Sequence, residues 1–146
     1  NCNTGFFLSN GICVQCSSVM IGCLACPDQN SCTQCATGFV GTTCTTCATG
    51  YSGADCSSCA TGYYSNSGTC RTCSVINANC NSCTNGLTCA NCATGYTGST
   101  CNRCSTGYYM SSGSCLSCTG ISSNCQACSD GSVCTTCALG FTGNAC

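Results

Sequence analysis

The sequence predicts a small disulfide-rich fold: an elongated tandem array of stapled loops, with short β-hairpins, little helix and no large hydrophobic core. Three observations carry that reading. Of 146 residues, 26 are Cys, far above the share that marks a disulfide scaffold. Trp is absent and charged residues make up 3%, so the chain lacks the large aliphatic and aromatic stock of a single core. One frame, Cys-x-x-Gly-aromatic-x-Gly-x-x-Cys, recurs at Cys35–Cys44, Cys47–Cys56, Cys92–Cys101 and Cys137–Cys146.

A longer variant, Cys-x-x-Gly-aromatic-aromatic with a later Gly, fills Cys2–Cys13, Cys59–Cys70 and Cys104–Cys115. Every aromatic residue lies in these loops: Phe6, Phe7, Phe39, Tyr51, Tyr63, Tyr64, Tyr96, Tyr108, Tyr109 and Phe141. Aligned on cysteine, the chain is three repeats. The first is enlarged by a tandem copy of the short loop, Cys35–Thr46 followed by Cys47–Ser58.

Each repeat opens on the long loop, where Asn10-Gly11 is a strong hairpin-turn signal and Ser67-Gly68 and Ser112-Gly113 hold the same place. A four-cysteine block follows: Cys16, Cys23, Cys26, Cys32; then Cys73, Cys80, Cys83, Cys89; then Cys118, Cys125, Cys128, Cys134. Turn formers sit before its last cysteine at Pro27-Asp28, Asn85-Gly86 and Asp130-Gly131. No helical period survives a Cys every few residues, so at most one helical turn is expected, around Val19–Ile21.

Composition excludes several function classes. Ordering entropy here must be offset by covalent staples, which places the chain in an oxidising compartment, extracellular or at the cell surface. A net charge of −1 removes the electrostatic footprint of a nucleic-acid binder. No apolar run approaches membrane-spanning length. Without His, Lys or Glu, a general base could only be Asp28, Asp55 or Asp130, and two of these occupy turns where Asp is expected for local bonding. No enzyme activity and no cofactor is expected. The Cys-x-x-Cys spacing suits zinc, but each four-thiolate site would carry two net negative charges against only two arginines, Arg71 and Arg103.

The four-cysteine block plus short loop resembles an epidermal-growth-factor-like (EGF-like) module, most closely at the Gly-aromatic-x-Gly loop. The alternation with lone loops is similar to laminin-type modules and to the furin-like cysteine-rich repeats of receptors. The family's 1–3, 2–4, 5–6 pairing implies Cys16–Cys26, Cys23–Cys32 and Cys35–Cys44 in the first module. It implies Cys73–Cys83, Cys80–Cys89 and Cys92–Cys101 in the second, and Cys118–Cys128, Cys125–Cys134 and Cys137–Cys146 in the third. The remaining cysteines then close lone loops, Cys2–Cys13, Cys47–Cys56, Cys59–Cys70 and Cys104–Cys115, and none is left over. One departure is two residues between the fourth and fifth cysteines (Thr33-Gln34, Ala90-Asn91, Thr135-Thr136) where the family usually has one. The implied domains are a single-disulfide loop at 1–15, EGF-like modules at 16–46, 73–103 and 118–146, two lone loops at 47–72 and one at 104–117. Calcium-binding members need acidic residues before the first cysteine. Val14-Gln15, Arg71-Thr72 and Leu116-Ser117 stand there, so no metal is expected.

The aromatics Phe7, Phe39, Tyr51, Tyr64, Tyr96, Tyr109 and Phe141 are expected to pack at junctions between modules rather than to form a ligand-binding strip. Arg71 and Arg103 flank those junctions. No Asn-x-Ser/Thr sequon occurs, and Ser and Thr are dense at Thr42-Thr43, Thr45-Thr46 and Ser111-Ser112. With so little charge, O-linked sugar is expected to keep the surface hydrated; an intact mass equal to the sequence mass would remove that expectation. The chain opens on Asn1 and closes on Cys146 in phase with the repeat, which suits a piece of a longer array or a subunit stacking head to tail on itself. The expected function is a structural stalk or filament. The rival is a surface antigen or receptor ectodomain that binds a protein partner. Composition resembles the surface antigens of ciliated protists and the EGF-like proteins of algal flagellar hairs.

Overall fold

Asn10 and Gly11 both take positive φ, 48° and 83°. That pair of left-handed residues makes a type I′ turn, whose twist matches that of the strands it joins. Strands β1 (Phe6–Ser9) and β2 (Ile12–Gln15) therefore meet as a tight antiparallel hairpin. Ser67-Gly68 and Ser112-Gly113 repeat the same angles between β9 (Tyr63–Asn66) and β10 (Thr69–Thr72), and between β15 (Tyr108–Ser111) and β16 (Ser114–Ser117).

The computed structural model describes every residue, Asn1–Cys146, and divides into two compact units, Asn1–Thr72 and Cys73–Cys146. In the first unit the opening hairpin is followed by four more two-stranded antiparallel ladders or hairpins. These pair β3 (Cys23–Ala25) with β4 (Gln34–Cys35), β5 (Phe39–Val40) with β6 (Thr46–Cys47), and β7 (Tyr51–Ser52) with β8 (Ser58–Cys59), and the last is β9 with β10. The second unit pairs β11 (Cys80–Cys83) with β12 (Cys89–Cys92), β13 (Tyr96–Thr97) with β14 (Arg103–Cys104), β15 with β16, and β17 (Cys125–Cys128) with β18 (Cys134–Cys137). No ladder gains a third strand.

Helix is limited to three short 3-10 turns. The turn expected around Val19–Ile21 lies earlier, at Cys16–Ser18, with counterparts at Cys73–Val75 and Cys118–Gly120. The cause is the buried Cys16, whose carbonyl accepts from Val19 N at 3.2 Å and Met20 N at 2.9 Å. The turn thus starts at the sulfur anchor and swings Met20 inward.

Two isolated strands are marginal in water, and little apolar burial supplements them here. Apart from Phe7 and Met20, every buried hydrophobic residue is a cysteine, and no polar side chain is buried. Cys16, Cys44, Cys73, Cys101 and Cys118 are fully shielded. All cysteines are bonded. In the four-cysteine blocks and short loops the bridges are Cys16–Cys26, Cys23–Cys32, Cys35–Cys44, Cys73–Cys83, Cys80–Cys89, Cys92–Cys101, Cys118–Cys128, Cys125–Cys134 and Cys137–Cys146. Lone loops are closed by Cys2–Cys13, Cys47–Cys56, Cys59–Cys70 and Cys104–Cys115. Sulfur is the interior of this protein.

Candidate functional site

The most organised feature of the structure is the contact each loop makes with the next. Three interactions recur there. The residue after each loop's first cysteine donates its N–H to the glycine carbonyl one loop earlier: Ala48 to Gly38 at 2.8 Å, Ala60 to Gly50 at 2.9 Å, Ser105 to Gly95 at 2.9 Å. A two-residue ladder joins the same loops: β5 with β6, β7 with β8 and β13 with β14. Third, the incoming aromatic ring lies flush on that glycine. A methyl group at Gly38 would sit 3.0 Å from Tyr51 Cδ1, one at Gly50 2.6 Å from Tyr63 Cδ1, and one at Gly95 2.7 Å from Tyr108 Cδ1. A side chain at Gly22 would collide with the Phe39 ring in the same way, and one at Gly131 would meet Tyr109 Oη.

The tyrosine hydroxyls add a fourth interaction where a long loop follows a short one. Tyr51 Oη accepts from Cys70 N at 3.3 Å, and Tyr96 Oη accepts from Cys115 N at 3.2 Å. Phe39, which lacks the hydroxyl, precedes a short loop. The choice of Phe or Tyr thus follows what comes next.

The aromatics singled out in the sequence fall into distinct settings. Phe7 is 5% exposed and packs with Cys16, Met20, Cys23 and Cys44, with Phe39 against the same cluster. Tyr109 lies against the cluster of Cys118, Cys125 and Cys134. Tyr51 and Tyr96 lie at loop contacts, as above. Tyr64 is half-buried and cross-strand from Arg71, Arg103 is cross-strand from Thr97, and Phe141 is 47% exposed. Sequence reasoning did not single out Tyr63 and Tyr108. Their place in the frame, fourth after the first cysteine like Tyr51, was the signal that could have found them.

Sulfur atoms crowd at Cys16, Cys23 and Cys26, at Cys32, Cys35 and Cys44, at Cys80, Cys89 and Cys101, and at Cys125, Cys134 and Cys146. Each group contains a bonded pair, and a disulfide sulfur is not the thiolate that binds zinc. The carboxylates are engaged locally. Asp28 accepts from Asn30 N, Ser31 N and Ser31 Oγ at 2.8–3.0 Å. Its pKa is held below the ordinary carboxylate value chiefly by the Asn30 amide, then by the Ser31 hydroxyl. The Ser57 hydroxyl does the same for Asp55, and the Ser132 hydroxyl for Asp130. A general base is raised toward neutrality; these three are moved the other way.

The fold and these contacts define a disulfide-stapled, cysteine-rich repeat protein. The model of the laminin EGF domain family matches residues 40–73 and 69–118, more than half of the chain, and the chain belongs to that family. Neither the curated proteins nor the solved structures contain a match. Laminin EGF domains, with their dense disulfides, are typical of extracellular proteins and are typically non-enzymatic. Their repeats point to a structural or ectodomain role. No helix is long and apolar enough to cross a membrane.

Proposed function

We propose that this chain is an extracellular structural protein that builds a rigid, disulfide-stapled stalk or filament by head-to-tail stacking of its repeats. The observation that carries this reading is the recurrence of one loop-to-loop contact, made by the same three interactions at Gly38, Gly50 and Gly95. A contact that repeats along a chain propagates order from neighbour to neighbour, as in solenoids. Phe7, Phe39, Tyr51, Tyr64, Tyr96, Tyr109 and Phe141 serve as junction residues, stiffening modules too small to bury much internally. Charge is sparse, so assembly proceeds with little electrostatic repulsion.

Electron microscopy and analytical ultracentrifugation of the purified oxidised chain across concentration test the proposal. The expected result is fibres that lengthen as concentration rises. Dispersed monomers at all concentrations would sink it in favour of a surface antigen or receptor ectodomain with a protein partner.

A further inference from the structure

Each four-cysteine block carries a turn that begins two residues after its third cysteine, at Asp28, Asn85 and Asp130. In all three, the side-chain oxygen accepts from the N–H groups two and three residues on and from one hydroxyl. Only the middle turn holds an amide, and a glycine follows it. Asn85 Oδ1 accepts from Leu87 N at 2.8 Å, Thr88 N at 2.9 Å and Thr88 Oγ1 at 3.2 Å. The bond to Leu87 N closes a ring around Gly86 and folds the side-chain carbonyl carbon back toward Gly86 N. That N–H donates to nothing, and glycine has no Cβ to crowd an approach. Asn85 is exposed, so water reaches it.

We propose that Asn85-Gly86 is a self-modifying site, where the amide is converted to aspartate or isoaspartate with water as the only co-reactant. Gly86 N gives its proton to water and bonds to Asn85 Cγ. The Cγ–Nδ2 bond breaks, and Nδ2 leaves as ammonia, taking a proton back from solvent. Water then opens the five-membered imide at one carbonyl or the other. Negative charge builds on Oδ1 during the attack, and its three donors are already in place, as in an oxyanion hole.

The rest of the chain supplies the contrasts. Asn10-Gly11 is the same dipeptide, but Asn10 Oδ1 accepts from nothing. At φ 48° Asn10 is left-handed in its type I′ turn, where the next nitrogen lies on the side away from Cβ. Gly131 follows Asp130, but the Ser132 hydroxyl, then the Ser132 amide, keep that carboxyl ionised, and a carboxylate resists a nucleophile. Asp28 is followed by Gln29. The product aspartate fits, because Asp28 and Asp130 already make the same bonds. The middle turn thus ages toward the other two and adds one negative charge to a chain whose net charge is −1.

Incubation of the full oxidised chain at neutral and mildly alkaline pH tests this. Samples are then reduced, alkylated and cut at Arg71 and Arg103, which places the two Asn-Gly pairs in separate peptides, 1–71 and 72–103. Fragmentation mass spectrometry locates each amide-to-acid change. The expected result is conversion at position 85 that quickens with pH and outpaces position 10 by about tenfold or more, the worth of one donor to a charged oxygen. In chain reduced and alkylated before incubation, the two rates should converge. Thr88→Val, which removes the hydroxyl donor, should slow conversion at 85 about fivefold in the folded chain. No conversion at 85, equal rates at 10 and 85 in the folded chain, the same ratio in the reduced chain, or indifference to Thr88→Val would each overturn the proposal.

Discussion

Reduction of the disulfides is expected to abolish the folded state outright, at temperatures where the oxidised chain is unaffected. Each bridge closes a separation of 9 to 11 residues, and the chain-entropy model assigns about 2.5–3 kcal/mol to a loop of that size. No other source of stability approaches that, because Phe7 and Met20 are the only buried hydrophobics that are not cysteine. Reduction also leaves thiols where the interior was, and the two-stranded ladders do not survive alone. The measurement is circular dichroism and thermolysin digestion with and without a phosphine reductant. The oxidised chain should keep its spectrum and resist cleavage, and the reduced chain should lose both. Retention of both after full reduction would mean that something other than sulfur holds the loops together, and that the bridges are dispensable to the core.

The fold class was legible because cysteine spacing and turn chemistry are local properties. Asn10-Gly11, Ser67-Gly68 and Ser112-Gly113 announce their hairpins by residue type alone, and the angles of the chain at those positions follow. The helical turn was legible only approximately. Its start is set by the burial of Cys16 rather than by helix propensity, so the apolar residues Val19 to Ile21 drew the expectation too far along. The loop contacts were half legible. The frame marks Gly38, Gly50 and Gly95 as special, but a positive φ alone accounts for a glycine. That a ring from the following loop also presses on the same atom is a tertiary fact with no sequence marker except recurrence. The Tyr51 and Tyr96 hydroxyls reach across nineteen residues, beyond any local pattern, although the switch from Phe39 to Tyr before a long loop is visible once the contact is known.

The second large effect is expected at Gly50, and comparison with Gly140 separates its two causes. Both glycines hold nearly the same backbone, φ 89° and 92°. Alanine at either pays the left-handed cost of roughly 1–2 kcal/mol. At Gly50 the added methyl also falls 2.6 Å from Tyr63 Cδ1 and 2.7 Å from Cε1. The ring must then leave, and such overpacking costs roughly 1–3 kcal/mol more. The contact between the loops Cys47–Cys56 and Cys59–Cys70 should therefore loosen. The Ala60 amide, bonded to the Gly50 carbonyl at 2.9 Å, reports it by hydrogen exchange. Gly50→Ala should lower its protection by about 2–5 kcal/mol in opening free energy. Gly140→Ala, read at the Phe141 amide in dilute solution, should cost only the backbone share. Combining Gly50→Ala with Tyr63→Ala supplies the control. If the ring is the obstacle, the double variant loses less than the two single changes added together. Equal losses at Gly50 and Gly140, or strict additivity with Tyr63→Ala, would show that the glycine serves its backbone angle alone and that the ring is a bystander.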